Sequence, residues 1–427
     1  ATSPLTVSTN ALPNIMLLID NSGSMNAIIE SDAYSAQGPD DAASRWQYFA
    51  GFSWQGNQVF YDIGWNSGYV SHTSMPTGWG GCANGYQLFR RQDDSNITSC
   101  LKLPKAVDVN NVEHNNTRYS GGYLTYLLNN NGSGTDLTSS IPTGYRMDVA
   151  RQVAKKLIAD TNVGGVQKVR FGLSSFQQWG SSFSGASIDA ECGVSNTVLN
   201  SQIDSYTAYT ATPLGEALYE ITRYFRGLTP YYSTGTAYTS PIQYRCQQNF
   251  TIVITDGFPT DDNNYPTNDP ADPENKLPNW DGVTSDPSNP ETTLESQYPD
   301  FPKYSDGWAA LNSTEAGSTS HEGATLFMDD IALFAQEIDM KPNGSELDND
   351  GKSYNDSEFA IQNMSTYTVG FGIENQMLVD AAEYGTGDFY LASNEDQLLA
   401  ALTTAVEAII ARSGSAASAA ASSGSVQ

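Results

Sequence analysis

The sequence predicts an α/β fold: a doubly wound, mostly parallel six-stranded sheet with helices on both faces, interrupted by large loop-rich insertions. Three observations carry this expectation. Ile15 to Ile19 is an unbroken apolar run, as in a strand covered on both faces, and it stops at Asp20. Asn249 to Thr255 repeats the pattern and is followed by Asp256 and Gly257. Around these two strands, amphipathic helical stretches alternate with short strands, the rhythm of open sheets whose ligands sit at strand carboxyl ends.

Taken in order, the first strand runs into Asp20-Asn21-Ser22-Gly23-Ser24. One carboxylate and two hydroxyls, closely spaced and all oxygen, suit a hard divalent cation such as Mg²⁺. The same residues are common turn formers and also read as a polar loop, with Gly23 allowing a tight turn. Residues 30–143 lack long periodic runs and read as an inserted loop-rich subdomain with a few short strands. Its Trp46, Trp54, Trp65 and Trp79 serve either a small core of its own or an exposed ligand surface.

Regular structure resumes at Arg146, where Ala150, Val153, Ala154 and Leu157 mark one helix face. Val169 to Phe176 reads as a strand, and Phe183 to Ile188 as a weaker edge strand. Leu214, Leu218, Ile221 and Phe225 follow helical spacing, with Pro213 suited to the first turn. Thr212 therefore stands at a helix N-terminus, where its hydroxyl either caps the helix or faces a metal from a second loop.

Beyond Asp256, residues 257–325 form an acidic, Pro-rich insertion. Asp261, Asp262, Asp269, Asp272, Asp281 and Asp286 are expected there in loop or partly disordered chain, not in a further cation site. Glu346-x-Asp348-x-Asp350-Gly351 opens like a calcium loop, but Ser357 stands where the closing Glu belongs. Met328, Ile331, Ala335 and Ile338 predict a helix, and Tyr367 to Phe371 and Asp388 to Leu391 predict strands. Leu399, Leu402, Val406 and Ile409 predict a terminal helix, and residues 413–427 a Ser/Ala linker.

Composition narrows the function classes. Lys plus Arg number 20 against 48 Asp plus Glu, a formal charge of −28, so nucleic acid and anionic lipid are repelled. No stretch reaches the roughly 20 apolar residues of a membrane span. Three histidines and no Cys-x-x-Cys spacing argue against zinc. Cys82, Cys100, Cys192 and Cys246 are an even set, and the local pairing among three is Cys82–Cys100 with Cys192–Cys246. Free buried thiols are the alternative. Asn-x-Ser/Thr triplets occur at Asn96, Asn131, Asn249 and Asn343, and the start Ala1-Thr2-Ser3-Pro4 fits what signal cleavage leaves.

Asp20-x-Ser22-x-Ser24, Thr212 opening a helix and Asp256 after a strand together resemble the metal-ion-dependent adhesion site of a von Willebrand factor type A domain. Ser365 to Ile373, Gly385 to Tyr390, the helix near Met328 and the Ala/Ser tail resemble more narrowly the N-terminal A domain of PilY/PilC-type type IV pilus tip adhesins. The resemblance implies an A domain over residues 1–412, with Asp20, Ser22, Ser24, Thr212 and Asp256 holding a divalent ion. Mg²⁺ is the first expectation, Mn²⁺ and Ca²⁺ the alternatives, and a partner's carboxylate completes the coordination. It further implies secretion to the cell surface at a pilus tip, contact with minor pilins and with a host or abiotic surface ligand, and a propeller-like module following this N-terminal part. The large first insertion departs from simple A domains. A structural role in capping or assembling the pilus, with the metal loop serving folding alone, is the second expectation. A metal-assisted hydrolase is the third; no general base is tied by motif to the loops, and no enzymatic activity is expected.

Overall fold

The structure, a computed structural model, describes residues 11–35, 46–63, 68–163, 166–179, 182–257, 259–260, 262, 264–278, 280, 327–373 and 376–423. The chain divides into two compact units. One comprises residues 1–22, 153–392 and 396–427, the other residues 23–152 and 393–395. The second unit is thus wider at both ends than the expected 30–143 insertion.

The first unit is built on strands β1 (Asn14–Ile19), β2 (Arg170–Trp179), β3 (Ser182–Ala190), β4 (Asn249–Thr255), β5 (Met364–Phe371) and β6 (Thr386–Ala392), ordered β3-β2-β1-β4-β5-β6. All neighbours are parallel except the β2–β3 pair. Its helices are α1 (Arg146–Asp160, whose first turns belong to the second unit), α2 (Asn196–Ser205), α3 (Leu214–Arg226), α4 (Met328–Glu337), α5 (Gln376–Tyr384) and α6 (Glu395–Ser423). This is the doubly wound α/β sheet that the sequence predicts.

Register explains the apolar runs. Leu17 of β1 lies beside Leu173 of β2 and Ile252 of β4, so aliphatic side chains form rows across the sheet. Met16 and Leu18 face one side and pack with Leu214, Leu218, Ile331 and Leu378 of α3, α4 and α5. Phe250 faces the other side, where Arg412 of α6 lies over its ring. Every residue of β1, β4 and β5 is buried, as strands covered on both faces require. Helix α3 is buried along its length because its carboxylates are satisfied: Glu220 accepts from Tyr231 N and the Tyr238 hydroxyl. It ends at Gly227, whose left-handed φ of 69° lets its amide bond back to Tyr224 O.

Two expectations are corrected. Residues 413–423 are not a linker but continue α6, since Ala-rich chain extends an existing helix without a new nucleation cost. Cys192 and Cys246 are both free thiols: Cys192 is buried in the α3-side core, while Cys246 is half-buried in the segment before β4. Asn249, of the Asn249-Phe250-Thr251 triplet, is buried with its amide donating to Asn363 O. The described residues of the acidic insertion are loop and turn, with three of its carboxylates enclosed. Asp262, Asp269 and Asp272 are buried, and Asp269 receives a bidentate pair from Arg226 at 2.6 and 2.9 Å and a hydrogen bond from the Tyr219 hydroxyl. Asp261, Asp281 and Asp286 lie outside the described residues.

The second unit holds a five-stranded sheet of Gln58–Asp62, Trp46–Phe52, Gln87–Arg91, Thr98–Lys102 and Thr135–Asp136, in that order, and a helix, Gly121–Asn130. Cys82 and Cys100 form a disulfide beside Phe49 and Leu88. Of its tryptophans, Trp46 is buried and donates to Asn129 Oδ1, whereas Trp54 is 92% exposed. Trp79 packs its ring on Phe49 and Phe52 yet remains partly exposed, and Trp65 lies outside the described residues. The small-core reading therefore holds for Trp46 and in part for Trp79.

Candidate metal centre

Strand order reverses at β1. The chain moves from β1 to β2 and β3 on one side, then returns to β4 on the other, so the carboxyl ends of β1 and β4 flank a topological switch point. The register Ile19↔Ile254 brings Asp20 and Asp256, the residues at the two strand ends, into one place.

There Asp20 is fully buried and its carboxylate is built into a network. Oδ1 accepts from Ser22 N at 2.7 Å; Oδ2 accepts from the Thr255 hydroxyl at 2.6 Å and from Asp256 N at 3.4 Å. Burial, and then the charge of Asp256, push the Asp20 carboxyl up to about 7, against the hydrogen bonds from Ser22 and Thr255. Asp256 and Ser22 are buried as well.

The third loop is stitched to the first. Ser22 and Thr210 form a parallel bridge, and Asn21 O accepts from the amides of Tyr209 and Thr210. Asn21 Nδ2 is in turn fixed to Phe176 O of β2 at 3.0 Å. Thr212 follows, buried, just ahead of α3. The residue at the N-cap of α3 is Pro213, and the first-turn amides Gly215 N and Glu216 N go to Asp262, at 2.8 and 2.7 Å. The hydroxyl of Thr212 is therefore not the cap of α3.

Ser24 belongs to the second unit, two residues along the chain from Ser22, in a 3-10 turn over Gly23–Asn26. Gly23 is not among the residues of positive φ; its lack of a side chain matters because a Cβ there would lie 3.0 Å from Arg118 Nη1. The tight turn that the sequence assigns to Gly23 is present, and the tip of the Arg118 side chain is its nearest neighbour.

The first unit thus brings together Asp20, Ser22, Thr212 and Asp256 on three loops. Among the described residues no three His, Cys, Asp or Glu side chains converge as a metal cluster, so an ion here would rest on two carboxylates with hydroxyls. That donor set fits a hard cation: two buried carboxylates adjoin, with Asp256 N 3.4 Å from Asp20 Oδ2. Thr255, Thr260 and Asp262 hold these loops by hydrogen bonds to Asp20, Thr212 and the start of α3, a role that sequence reasoning missed. Nothing marks Thr255 in the sequence except its place before Asp256. The broken calcium loop is a tight turn: Asp348 Oδ1 accepts from the amides of Asp350 and Lys352, and Glu346 pairs with Lys341.

No protein-family model matches the chain, and no curated protein matches it. Among solved structures, it is similar to the vWF domain of the type V pili tip protein Mfa5 from Porphyromonas gingivalis, at 11% identity and a TM-score of 0.38, over 93% of this chain and 95% of that one. It is also similar to a point mutant of the PilB minor pilin from Streptococcus sanguinis, at 12% identity and a TM-score of 0.33, over 90% and 92%.

Proposed function

We propose that this chain is a metal-dependent adhesion domain acting at the tip of a type IV pilus. The observation that carries the proposal is the meeting of buried Asp20 and Asp256 at the sheet's switch point, with Ser22 and Thr212 beside them in chain and loop. Asp20 and Asp256 would supply the charge that holds a divalent ion, and Ser22, Ser24 and Thr212 neutral oxygens. An ion held by so few formal charges would remain electron-poor and attract a carboxylate from a partner protein or surface. The chain's own residues do the positioning: Thr255 orients Asp20, and Asn21 ties the Asp20 loop to the Thr210 segment. The pilus assignment rests on the sequence resemblance of Ser365 to Ile373 and Gly385 to Tyr390. The proposal assigns binding and no catalytic turnover.

The test is calorimetric titration of Mg²⁺, Mn²⁺ and Ca²⁺ into metal-stripped protein and into Asp256→Ala. One saturable site that disappears in the variant is expected, and partner binding should then be lost in Ser22→Ala/Ser24→Ala. No saturable site in the parent would overturn the metal reading.

One observation favours a second reading, a structural part in pilus capping or assembly. Both oxygens of Asp20 are engaged by the protein's own donors, so the loop holds itself in place. An Asp256→Ala protein that folds and supports piliation but not attachment favours adhesion; loss of piliation favours assembly.

A further inference from the structure

Thr212 is placed by contacts on both sides of it. Upstream, Thr210 Oγ1 donates to Asn21 Oδ1 at 3.2 Å. Downstream, the contacts come from the segment that follows Asp256. Thr260 Oγ1 accepts from Thr212 N at 2.9 Å, and Thr260 N donates to Thr212 O at 3.0 Å, so one residue holds both backbone polar groups of Thr212. Asp262 then receives Gly215 N and Glu216 N, and Glu216 Oε1 receives Asn264 N at 2.7 Å. The two stretches are also in close contact: a Cβ on Gly215 would lie 2.2 Å from the Tyr265 hydroxyl, which itself bonds Asp262 at 3.2 Å.

We infer that Thr260 and Asp262 are positioning residues of the metal centre, which fix the Thr212 backbone to the loop carrying Asp256 and so present the threonine hydroxyl to the ion ready-made. The inference rests on the metal-dependent adhesion reading above. Its physical basis is preorganisation. A neutral hydroxyl contributes little as a ligand if the loop bearing it must first be ordered, and two backbone bonds plus a capped helix remove that cost in advance. Neither residue touches the ion in this account; each acts through Thr212.

The test uses the whole chain with Thr260→Val, Thr260→Ser and Asp262→Asn. Two readouts are taken: backbone amide exchange at Thr212, Gly215 and Glu216 in metal-free protein, and Mg²⁺ affinity by calorimetry. Thr260→Val is expected to speed exchange of the Thr212 amide and to weaken Mg²⁺ about tenfold while the melting temperature stays near the parent's. Thr260→Ser, which keeps the acceptor, should restore both. Asp262→Asn is expected to act at Gly215 and Glu216; if it fails to fold, the Thr260 pair still decides. Unchanged exchange in Thr260→Val overturns the clamp. Faster exchange with parental Mg²⁺ affinity overturns the positioning role. A parent that binds no Mg²⁺ removes the metal reading and the positioning role with it, while the exchange data then identify a purely structural clamp.

Discussion

Thr255 donates a 2.6 Å hydrogen bond to Asp20 across the carboxyl ends of β4 and β1, joining residues 235 positions apart in sequence. A hydrogen bond to a charged group contributes roughly 1.5–3 kcal/mol. Thr255→Val removes it from a carboxylate that burial and Asp256 already disfavour. Mg²⁺ affinity at pH 7 is expected to fall about 10- to 100-fold, with Thr255→Ser close to the parent. Calorimetry checks this, and parental affinity in the valine variant would remove Thr255 from the site.

The Arg226–Asp269 pair secures the segment after β4 to the C-terminal end of α3. Both side chains are almost fully buried, and Arg223 stands 3.6 Å from the same carboxylate. Removing one partner leaves a buried charge without its counter-charge, so Asp269→Ala is expected to cost about 3–5 kcal/mol in denaturant unfolding. Replacing both, Arg226→Met with Asp269→Leu, should cost less than Asp269→Ala alone.

Thiol chemistry tests the cysteine assignment. Denatured, unreduced protein should release two titratable thiols, from Cys192 and Cys246, and reduction should expose the pair held in the Cys82–Cys100 disulfide. In the native protein Cys192 should not react near neutral pH, because burial pushes its thiol up to about 12. No thiols in the denatured, unreduced sample would mean that Cys192 and Cys246 are paired.

The second unit should lose stability in mild acid. Burial holds His72 and His114 below the ordinary histidine value of 6.5, with Arg151 adding to the effect at His114. The His114 ring stacks on Tyr145 at 4.1 Å and its Nε2 lies 2.7 Å from Asn26 Oδ1. Unfolded imidazoles take up protons near 6.5, folded ones only at lower pH, so the unfolded state binds more protons in between. The contribution is therefore present above about pH 6.5 and is lost as pH falls through the folded values. Thermal unfolding at pH 7.5 and 5.5 should show a larger drop for the parent than for His72→Gln/His114→Gln; equal drops would contradict it.

Much of this was legible in the chain because it depends on local pattern. Continuous apolar runs ending in Asp20 and Asp256 announced buried parallel strands, and the spacing of Leu214, Leu218, Ile221 and Phe225 announced α3. Oxygen-bearing residues after those strands and ahead of α3 point to Asp20, Ser22, Ser24, Thr212 and Asp256 as candidate ligands. Local pattern failed where a partner lay far away. The acidic run after Asp256 reads as loop, and nothing local marks that Asp262 caps α3 or that Asp269 meets Arg226. Cys192 and Cys246 look like a pair by count, but sequence distance does not report which thiol the core encloses.

The sequence by itself determined the six strands of the main sheet and the helices α1, α3 and α4, because burial periodicity is a property of neighbouring residues. It also determined which residue types stand at the strand ends. Only the tertiary structure decided the rest: that Ile19 pairs with Ile254, that Thr255 reaches Asp20, and that Thr260, not α3 alone, holds Thr212. Those contacts join residues 48 to 235 positions apart, brought within hydrogen-bonding distance by strand order, register and loop packing, and no local preference encodes that distance.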